Sequence, residues 1–209
     1  MTNSNNPHLK KAFELKNQEE CRSLYKEWAP SYDTTMVDEL KYVTPYKLSK
    51  YLAPELPDPT APILDLGCGT GLVGEALQDI GYTNIDGLDF SKEMLRVSEQ
   101  KDCYQDLMCA DLTKKTQIPD RTYEAVICAG LFTHGHLDAS CIDECLRIVQ
   151  TDGLFASAIR AQTWKTMGFE KKFTNLESEN QIELVKKDLL ENYKDSKERD
   201  GVYVIFRIK

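Results

Sequence analysis

The sequence predicts an α/β protein with a doubly wound, mostly parallel, seven-stranded sheet and an N-terminal helical cap. Three observations support this fold class. From Pro62 onward, short apolar runs alternate with segments of helical periodicity, which is typical of parallel strands joined by crossover helices. A glycine-rich turn joins the first strand to the next helix. A proline-rich stretch at positions 54–62 separates this alternating region from the residues before it.

The first 60 residues are expected to form the cap and its linker, and residues 61–209 the sheet domain. Residues 1 to about 12 are polar, and we expect them to be mobile. Helical patterns follow over residues 13–28, where Pro30 ends the helix, from about Ser31, and over residues 45–52. Four prolines between positions 54 and 62 exclude a helix in the linker.

The hydrophobic pattern of the sheet domain predicts strands separated by amphipathic helices. Helical stripes begin at Leu72, after Ser91 and at Ile142, and further helix is expected around residues 164–176. Gly81 ends the first of these helices, and Asp152-Gly153 ends the third. After the strand that begins at Ile63, the predicted strands are 84–89, 104–109, 123–129, 154–159, one within 182–191, and 202–208.

The stretch from Ile63 to Gly74 is the most informative part of the chain. An apolar run contains Asp65, and glycines follow at alternate positions, Gly67, Gly69 and Gly71. Glycine adopts backbone angles closed to other residues and lets a ligand approach the main chain. Amides at a helix N-terminus attract anionic groups. The turn therefore predicts a site for a small molecule with an anionic end.

Two cofactor classes fit such a turn. Gly69-x-Gly71-x-x-Gly74 matches the spacing of dinucleotide-binding proteins, which by itself is a weak signal. Asp65 opposes that reading, because two like charges about 6 Å apart repel by roughly 3 kcal/mol at an effective dielectric near 20. S-adenosylmethionine suits the turn better, because its carboxylate can meet the turn amides while its ammonium lies near Asp65.

The run Asp65-Leu-Gly67-Cys68-Gly69-Thr-Gly71 resembles motif I of class I S-adenosylmethionine-dependent methyltransferases. Trp28–Asp33, Lys41–Pro45 and the run from Cys68 resemble, within that class, the methyltransferase-like proteins of the Williams–Beuren syndrome region. The resemblance implies a Rossmann-like fold whose last strand inserts antiparallel between the fifth and sixth. It also implies S-adenosylmethionine as cofactor, S-adenosylhomocysteine as product, and an N-terminal segment that closes over the cofactor.

Several further residues are candidate cofactor contacts. The resemblance places Tyr32 near the methionyl end of the cofactor with Trp28 nearby, although both could simply pack the cap onto the sheet. It assigns Asp111 to the adenine amino group and Leu112 to the ring, although Asp111 could equally form a turn. Met94, on the helix after the second strand, is included among these contacts.

The second and fourth strands end at further candidate residues. Asp89 lies about 20 residues beyond the glycine turn, where an acid can bind a ribose diol. Ser91 already serves as helix N-cap, which weakens a capping role for Asp89 and leaves Phe90 to lie against adenine. The Ala129 carbonyl is a candidate acceptor for the cofactor ammonium. All these strand ends lie at one edge of the sheet, where open α/β folds bind ligands.

The loop from Gly130 to His136 follows the fourth strand and is expected beside the reactive methyl group. Methyl transfer mainly needs alignment and exclusion of water, but a hydroxyl or carbon acceptor needs a base. His134 is the first candidate for that base, and an orienting or solvated role is the alternative. The loop lacks the Asn/Asp-Pro-Pro-aromatic motif of enzymes that methylate base amines or glutamine amides. A small-molecule acceptor is therefore favoured, and a protein side chain is the alternative.

The composition limits the partners. The net charge of −8 argues against nucleic acid or an anionic membrane as the main partner. No apolar run is long enough to span a bilayer, and no leader pattern is seen, so we expect a cytoplasmic protein, with a monomer favoured. The seven cysteines show no pairing or zinc-site spacing, and no metal is expected. An NAD(P)-dependent oxidoreductase and a non-catalytic cofactor-binding module are the alternative functions.

Overall fold

The computed structural model describes residues 6–15, 17–132 and 137–209, except for the side chain of Phe13. Seven strands form one sheet: β1 (Ile63–Leu66), β2 (Ile85–Asp89), β3 (Leu107–Cys109), β4 (Tyr123–Ala129), β5 (Val149–Arg160), β6 (Ile182–Leu190) and β7 (Gly201–Ile208). Their order is β3-β2-β1-β4-β5-β7-β6. β7 pairs antiparallel with β5 and β6, and the other pairs are parallel. The predicted fold class and the antiparallel last strand are both confirmed.

Eight α-helices surround the sheet: α1 (Pro7–Glu14), α2 (Gln18–Trp28), α3 (Thr44–Leu52), α4 (Leu72–Asp79), α5 (Lys92–Glu99), α6 (Ile142–Arg147), α7 (Ala161–Thr166) and α8 (Phe169–Ser178), counted over the described residues. Short 3-10 turns cover Ala29–Ser31, Ala53–Glu55 and Ala139–Cys141. A π-helix covers Thr34–Glu39. None of the helices in the described ranges is long and apolar enough to cross a membrane.

Helices cover both faces of the sheet. Every residue of β1 is buried, as expected for a central parallel strand with helices on either side. On one face, α3 and α4 pack onto the sheet through Leu48, Leu52, Val73 and Leu77. On the other, α6, α7 and α8 contribute Ile142, Cys145, Trp164 and Phe173. The helix α3, which the sequence groups with the cap, thus belongs to the layers of the sheet domain.

The N-terminal segment differs from the sequence expectation. Residues 7–12, for which the sequence predicts no helix, belong to α1, and the helix predicted over residues 13–28 begins only at Gln18. The Asn6 side chain starts α1 by accepting hydrogen bonds from the amides of His8 and Leu9. Asn17 caps α2 in the same way, through the amide of Glu20. Buried side chains of both helices form a separate apolar cluster with residues of the π-helix: Leu9, Ala12, Leu24, Trp28 and Met36.

Two strand boundaries also differ. β3 begins at Leu107 rather than near Tyr104, and the Tyr104 side chain is turned toward the glycine-rich turn. β5 begins at Val149, earlier than predicted, and continues through Asp152-Gly153. Asp152 has a positive φ of 64°, and the pairing of β5 with β4 shifts register there. From the sequence, Asp152-Gly153 predicts a turn before the strand, because Asp-Gly is a turn signal.

Candidate functional site

The glycine-rich turn after β1 requires its glycines at two positions in particular. Gly71 is the N-cap of α4 and has a φ of 93°, a conformation that costs other residues free energy. Gly67 has a φ of 73°, and a Cβ atom there would lie 2.6 Å from a methyl carbon of Leu131. The turn is therefore held tightly between β1 and the segment that follows β4.

Four amides of the turn already donate hydrogen bonds within the protein. Gly67 and Cys68 both donate to the carbonyl of Leu88, at 2.7 and 3.0 Å, and the amide of Gly71 donates to the carbonyl of Cys68 at 2.8 Å. The amide of Gly69 donates to Asp89 Oδ2 at 2.9 Å. The prediction that the turn amides point at a ligand carboxylate is therefore wrong for these four, because they stabilise the turn itself.

Asp65 is completely buried beneath the turn. Its Oδ2 accepts a hydrogen bond from the Tyr104 hydroxyl at 2.6 Å, whereas its Oδ1 is buried without a partner. Burial raises the pKa of the Asp65 carboxyl to about 7, despite the opposing effects of the Tyr104 hydroxyl and the nearby amide of Gly74. An unpaired buried carboxylate oxygen is costly, so this position is prepared for a hydrogen-bond donor or a cation.

Tyr104 is a site residue that sequence reasoning missed. Its hydroxyl lies between Asp65 and the amide of Gly74, which donates to it at 3.2 Å. A Cβ atom on Gly74 would lie 2.4 Å from the Tyr104 ring. Gly74 thus serves close packing against this ring. The only sequence signal for this contact is Gly74, the last glycine of Gly69-x-Gly71-x-x-Gly74. A glycine at that position indicates that another part of the chain approaches closely, but it does not identify that part as Tyr104.

Asp89 connects the glycine-rich turn with the start of α5. Its Oδ2 accepts from the amide of Gly69, and its Oδ1 accepts from the amide of Ser91 at 2.8 Å. The Ser91 hydroxyl caps α5 through the amide of Met94, as predicted. Ser91 is thus the N-cap of α5, as expected, and Asp89 bonds the amide of this cap residue rather than an amide of the helix. Each Asp89 oxygen keeps a second lone pair for a ligand hydroxyl.

Asp111 connects the end of β3 with the cap. Its Oδ1 accepts from the amide and hydroxyl of Thr113, at 3.0 and 2.7 Å, and from Gln18 Nε2 at 3.3 Å. Both roles considered for it are compatible with this geometry, since it forms a turn and also faces a cavity. The Arg22 guanidinium lies 5.4 Å from the centroid of the Phe90 ring, so α2 covers this edge of the sheet.

Two cavities lie between the cap and the strand ends. The first has a volume of about 400 Å³ and is lined by Gln18, Cys21, Gly67, Leu88, Asp89, Phe90, Ala110, Asp111, Leu112, Leu131 and Leu137. The second, which we call the aromatic cavity, has a volume of about 660 Å³. It is lined by Leu9, Ala12, Tyr25, Trp28, Tyr32, Met36, Tyr42, Gly130, Phe132, Ala158, Arg160, Asn192 and Tyr193. The successive residues Gly130, Leu131 and Phe132 line one cavity or the other, which places the two cavities side by side.

Comparison with known proteins decides the family. Residues 64–157 match the family described as "Methyltransferase domain". Methyltransferase-like protein 27 of Homo sapiens is 33% identical over 142 residues, which are 66% of this chain and 57% of that protein. This chain contains a class I S-adenosylmethionine-dependent methyltransferase domain. A ubiquinone biosynthesis O-methyltransferase of Glaesserella parasuis is 29% identical over 106 residues, covering 46% of this chain and 44% of the relative. The chain thus spans about half the length of these relatives.

Solved structures share the fold of the methyltransferase domain. A methyltransferase of Haloferax volcanii, solved in complex with the Trm112 methyltransferase activator, matches with a TM-score of 0.66 and 16% identity over 88% of this chain and 97% of its own. A TehB-like S-adenosylmethionine-dependent methyltransferase of Corynebacterium glutamicum matches with a TM-score of 0.63 and 16% identity over 90% of this chain and 99% of its own.

The residues of the methyltransferase domain fit the family's cofactor, S-adenosylmethionine. The first cavity combines the Phe90 ring with the carboxylates of Asp89 and Asp111, which are the groups that an adenine and a ribose diol need. The unpartnered Oδ1 of Asp65 suits an ammonium, although Asp65 is fully buried and lines neither cavity. Among the described residues, no cluster of His, Cys, Asp and Glu is arranged to hold a metal ion.

The other predicted contacts line a cavity, line neither cavity, or lie outside the described residues. Leu112 lines the first cavity, and Trp28 and Tyr32 line the aromatic cavity, with ring centroids 4.8 Å apart. Cys68 and Met94 are 5% and 2% exposed and line neither cavity. Ala129 is the last residue of β4 and is half-buried. His134 lies outside the described residues.

Proposed function

We propose that the protein is a methyltransferase that uses S-adenosylmethionine to methylate a small-molecule acceptor. The observation that carries the proposal is the buried Oδ1 of Asp65, which has no partner within the protein. A purely structural carboxylate at this depth would be paired on both oxygens. Asp65 and the glycine-rich turn lie within residues 64–157, the region that matches the methyltransferase family.

The cofactor would lie along the edge of the sheet from β3 to β4. Asp111 and Leu112 would hold the adenine beside Phe90, and Asp89 would bind the ribose through its remaining lone pairs. Asp65 and the Ala129 carbonyl would hold the ammonium, with Gly67, Cys68, Gly69 and Gly71 shaping the turn. Trp28 and Tyr32 would lie near the reactive methyl, Met94 would support Phe90 from below, and His134 would act as base.

The acceptor would occupy the aromatic cavity. The cavity is lined mainly by aromatic and apolar side chains with a few polar groups, which suits one small organic molecule. One relative is named as a ubiquinone biosynthesis O-methyltransferase, and another, from Arabidopsis thaliana, as an 18S rRNA (guanine-N(7))-methyltransferase. The rRNA-related match covers 59 residues, or 27% of this chain, and the net charge of −8 opposes binding of nucleic acid. The small molecule is therefore favoured.

The remaining predictions from the sequence concern the domain division, the location and the oligomeric state. Residues 1–60 would act as cap and linker and residues 61–209 as the catalytic unit, with α3 bound to the latter. A cytoplasmic location is supported by the seven free cysteines, six of which are buried. A monomer remains the expected state.

Calorimetry and labelled-methyl transfer test the proposal together. S-adenosylhomocysteine should bind the protein, and NAD should not, because Asp65 opposes a diphosphate. Labelled S-adenosylmethionine should then transfer its methyl group to a component of a metabolite extract. Binding without any labelled product would favour the non-catalytic alternative, and tight binding of NAD alone would contradict the proposal.

A further inference from the structure

The aromatic cavity is lined by two groups of rings from distant parts of the chain. Tyr25, Trp28 and Tyr32 form one group, in which the centroid distances from Trp28 are 6.0 and 4.8 Å. Tyr42 and Tyr193 form the other, 5.5 Å apart, and their backbones are joined by an isolated antiparallel bridge. His8 and Tyr25 stack against Trp28 and cover it, whereas the four tyrosine rings are only partly buried. Partly exposed rings on several sides of one space favour a planar, unsaturated guest over a branched aliphatic one.

The polar atoms of this lining are mostly hydrogen-bond donors. Trp28 is 1% exposed, and its Nε1, which can only donate, is buried without an acceptor. Burial raises the pKa of Tyr32 and Tyr42 well above that of an ordinary phenol, so both hydroxyls keep their protons. The guanidinium of Arg160 adds further donors. A ligand oxygen that accepts hydrogen bonds would complete this set.

The charge of the lining points the same way. Arg160 carries the only charged side chain among the described residues that line the cavity. Its ion-pair partner Asp200, at 3.4 Å, is not part of the lining and also accepts a hydrogen bond from Asn192 at 2.9 Å. A protonated amine in this cavity would lose its hydration without meeting a carboxylate on the described lining. An anionic oxygen group would meet Arg160 instead.

From this lining we infer that the acceptor is a planar aromatic molecule bearing an anionic oxygen group, such as a carboxylate. Its ring would lie among Tyr25, Trp28 and Tyr32, and its oxygen group would face Arg160. The inference rests on the methyltransferase activity proposed above and specifies the chemical class that the same site accepts.

Three indoles with the same ring and different charge test this inference. Indole-3-acetate, indole-3-acetamide and tryptamine are titrated into protein saturated with S-adenosylhomocysteine, and binding is followed by calorimetry. We expect indole-3-acetate to bind at least about tenfold more tightly than tryptamine, with the amide between them. Arg160→Gln should remove this preference. Arg207→Gln is the matched control, because Arg207 lies near the opposite end of β7 and donates to the carbonyl of Asp152.

Trp28→Phe keeps an aromatic ring and removes the buried donor, so it should weaken indole-3-acetate several-fold and leave tryptamine unchanged. The titration with S-adenosylhomocysteine is done first, so that a failure of cofactor binding is recognised as a failure of the proposed function. If the cofactor product binds but tryptamine binds as tightly as indole-3-acetate, the inference is overturned. It is overturned equally if none of the three indoles binds, or if Arg160→Gln leaves the preference intact.

Discussion

At the scale of the residue, the buried carboxyl of Asp65 destabilises the cofactor-free protein, and we expect it to contribute to cofactor binding. Because burial raises the pKa of Asp65 to about 7, a large share of the free protein carries the neutral acid at neutral pH. Only the carboxylate form attracts an ammonium. We therefore expect the affinity for S-adenosylhomocysteine to fall on the order of tenfold between pH 7.5 and 5.5. Calorimetry across this range checks the slope.

Two controls isolate the contribution of Asp65. Adenosine lacks the amino-acid end, so its affinity should change little over the same pH range. Asp65→Asn should bind S-adenosylhomocysteine more weakly at pH 7.5, and its affinity should not change with pH. A slope that persists in Asp65→Asn would assign the titration to another group, and the ammonium site would have to be sought elsewhere.

Asp89 is the second residue whose loss should be measured. Asp89→Ala removes a carboxylate that holds the amides of Gly69 and Ser91. We expect cofactor affinity to fall by roughly 1–3 kcal/mol, and the melting temperature of the cofactor-free protein to fall as well. The exposed Asp79→Ala is the control. Unchanged affinity in a folded Asp89→Ala protein would remove Asp89 from the cofactor site.

At the scale of the element, Asp33 connects the cap to the glycine-rich turn. It accepts a hydrogen bond from the Thr70 hydroxyl and forms an ion pair of 2.7 Å with Lys101, which also contacts Glu75. Asp33→Ala should therefore loosen α2 by about 1 kcal/mol without loosening the sheet. Hydrogen exchange should show about fivefold faster exchange in α2 and no change in β4, whereas the exposed Asp38→Ala should behave like wild type. Equal acceleration in β4 would mean that the cap is not a separate unit.

At the scale of the whole molecule, the buried carboxyls determine how stability depends on pH. The folded-state pKa of Asp65 is raised, so the folded protein binds more protons than the unfolded chain between about pH 4 and 7. The free energy of unfolding of the cofactor-free protein should therefore fall as pH rises through this window. Asp65 contributes a slope of up to about 1.4 kcal/mol per pH unit.

The opposite trend is expected at lower pH. Contacts with Arg147 and Thr116 lower the pKa of Glu144 to about 2, so protonation of this carboxylate costs stability below about pH 4. Denaturant unfolding at pH 2, 3, 4, 5, 6 and 7 checks both trends. In Asp65→Asn the decline above pH 5 should be smaller, and a decline identical to that of wild type would contradict the assignment.

Local patterns were sufficient to predict most of the sheet. The first strand and the helix after it followed from an apolar run and three alternating glycines, and the Ser91 cap followed from its position before an amphipathic segment. These features depend on neighbours within a few residues, which the sequence displays directly. The end of α1 at Glu14 and the start of α2 at Gln18 were not predicted, because the apolar positions between residues 13 and 28 fit one helical pattern.

The amino-acid sequence by itself determined the fold class, the glycine-rich turn and the acids that follow the strands, because periodicity and turn chemistry are local. Only the tertiary structure decided that four turn amides are already bonded, that Tyr104 holds one oxygen of Asp65, and that six aromatic rings and Arg160 surround one cavity. Tyr104 lies 39 positions from Asp65, and Tyr193 pairs with Tyr42. Such contacts depend on how the chain folds back on itself, and no local pattern encodes them.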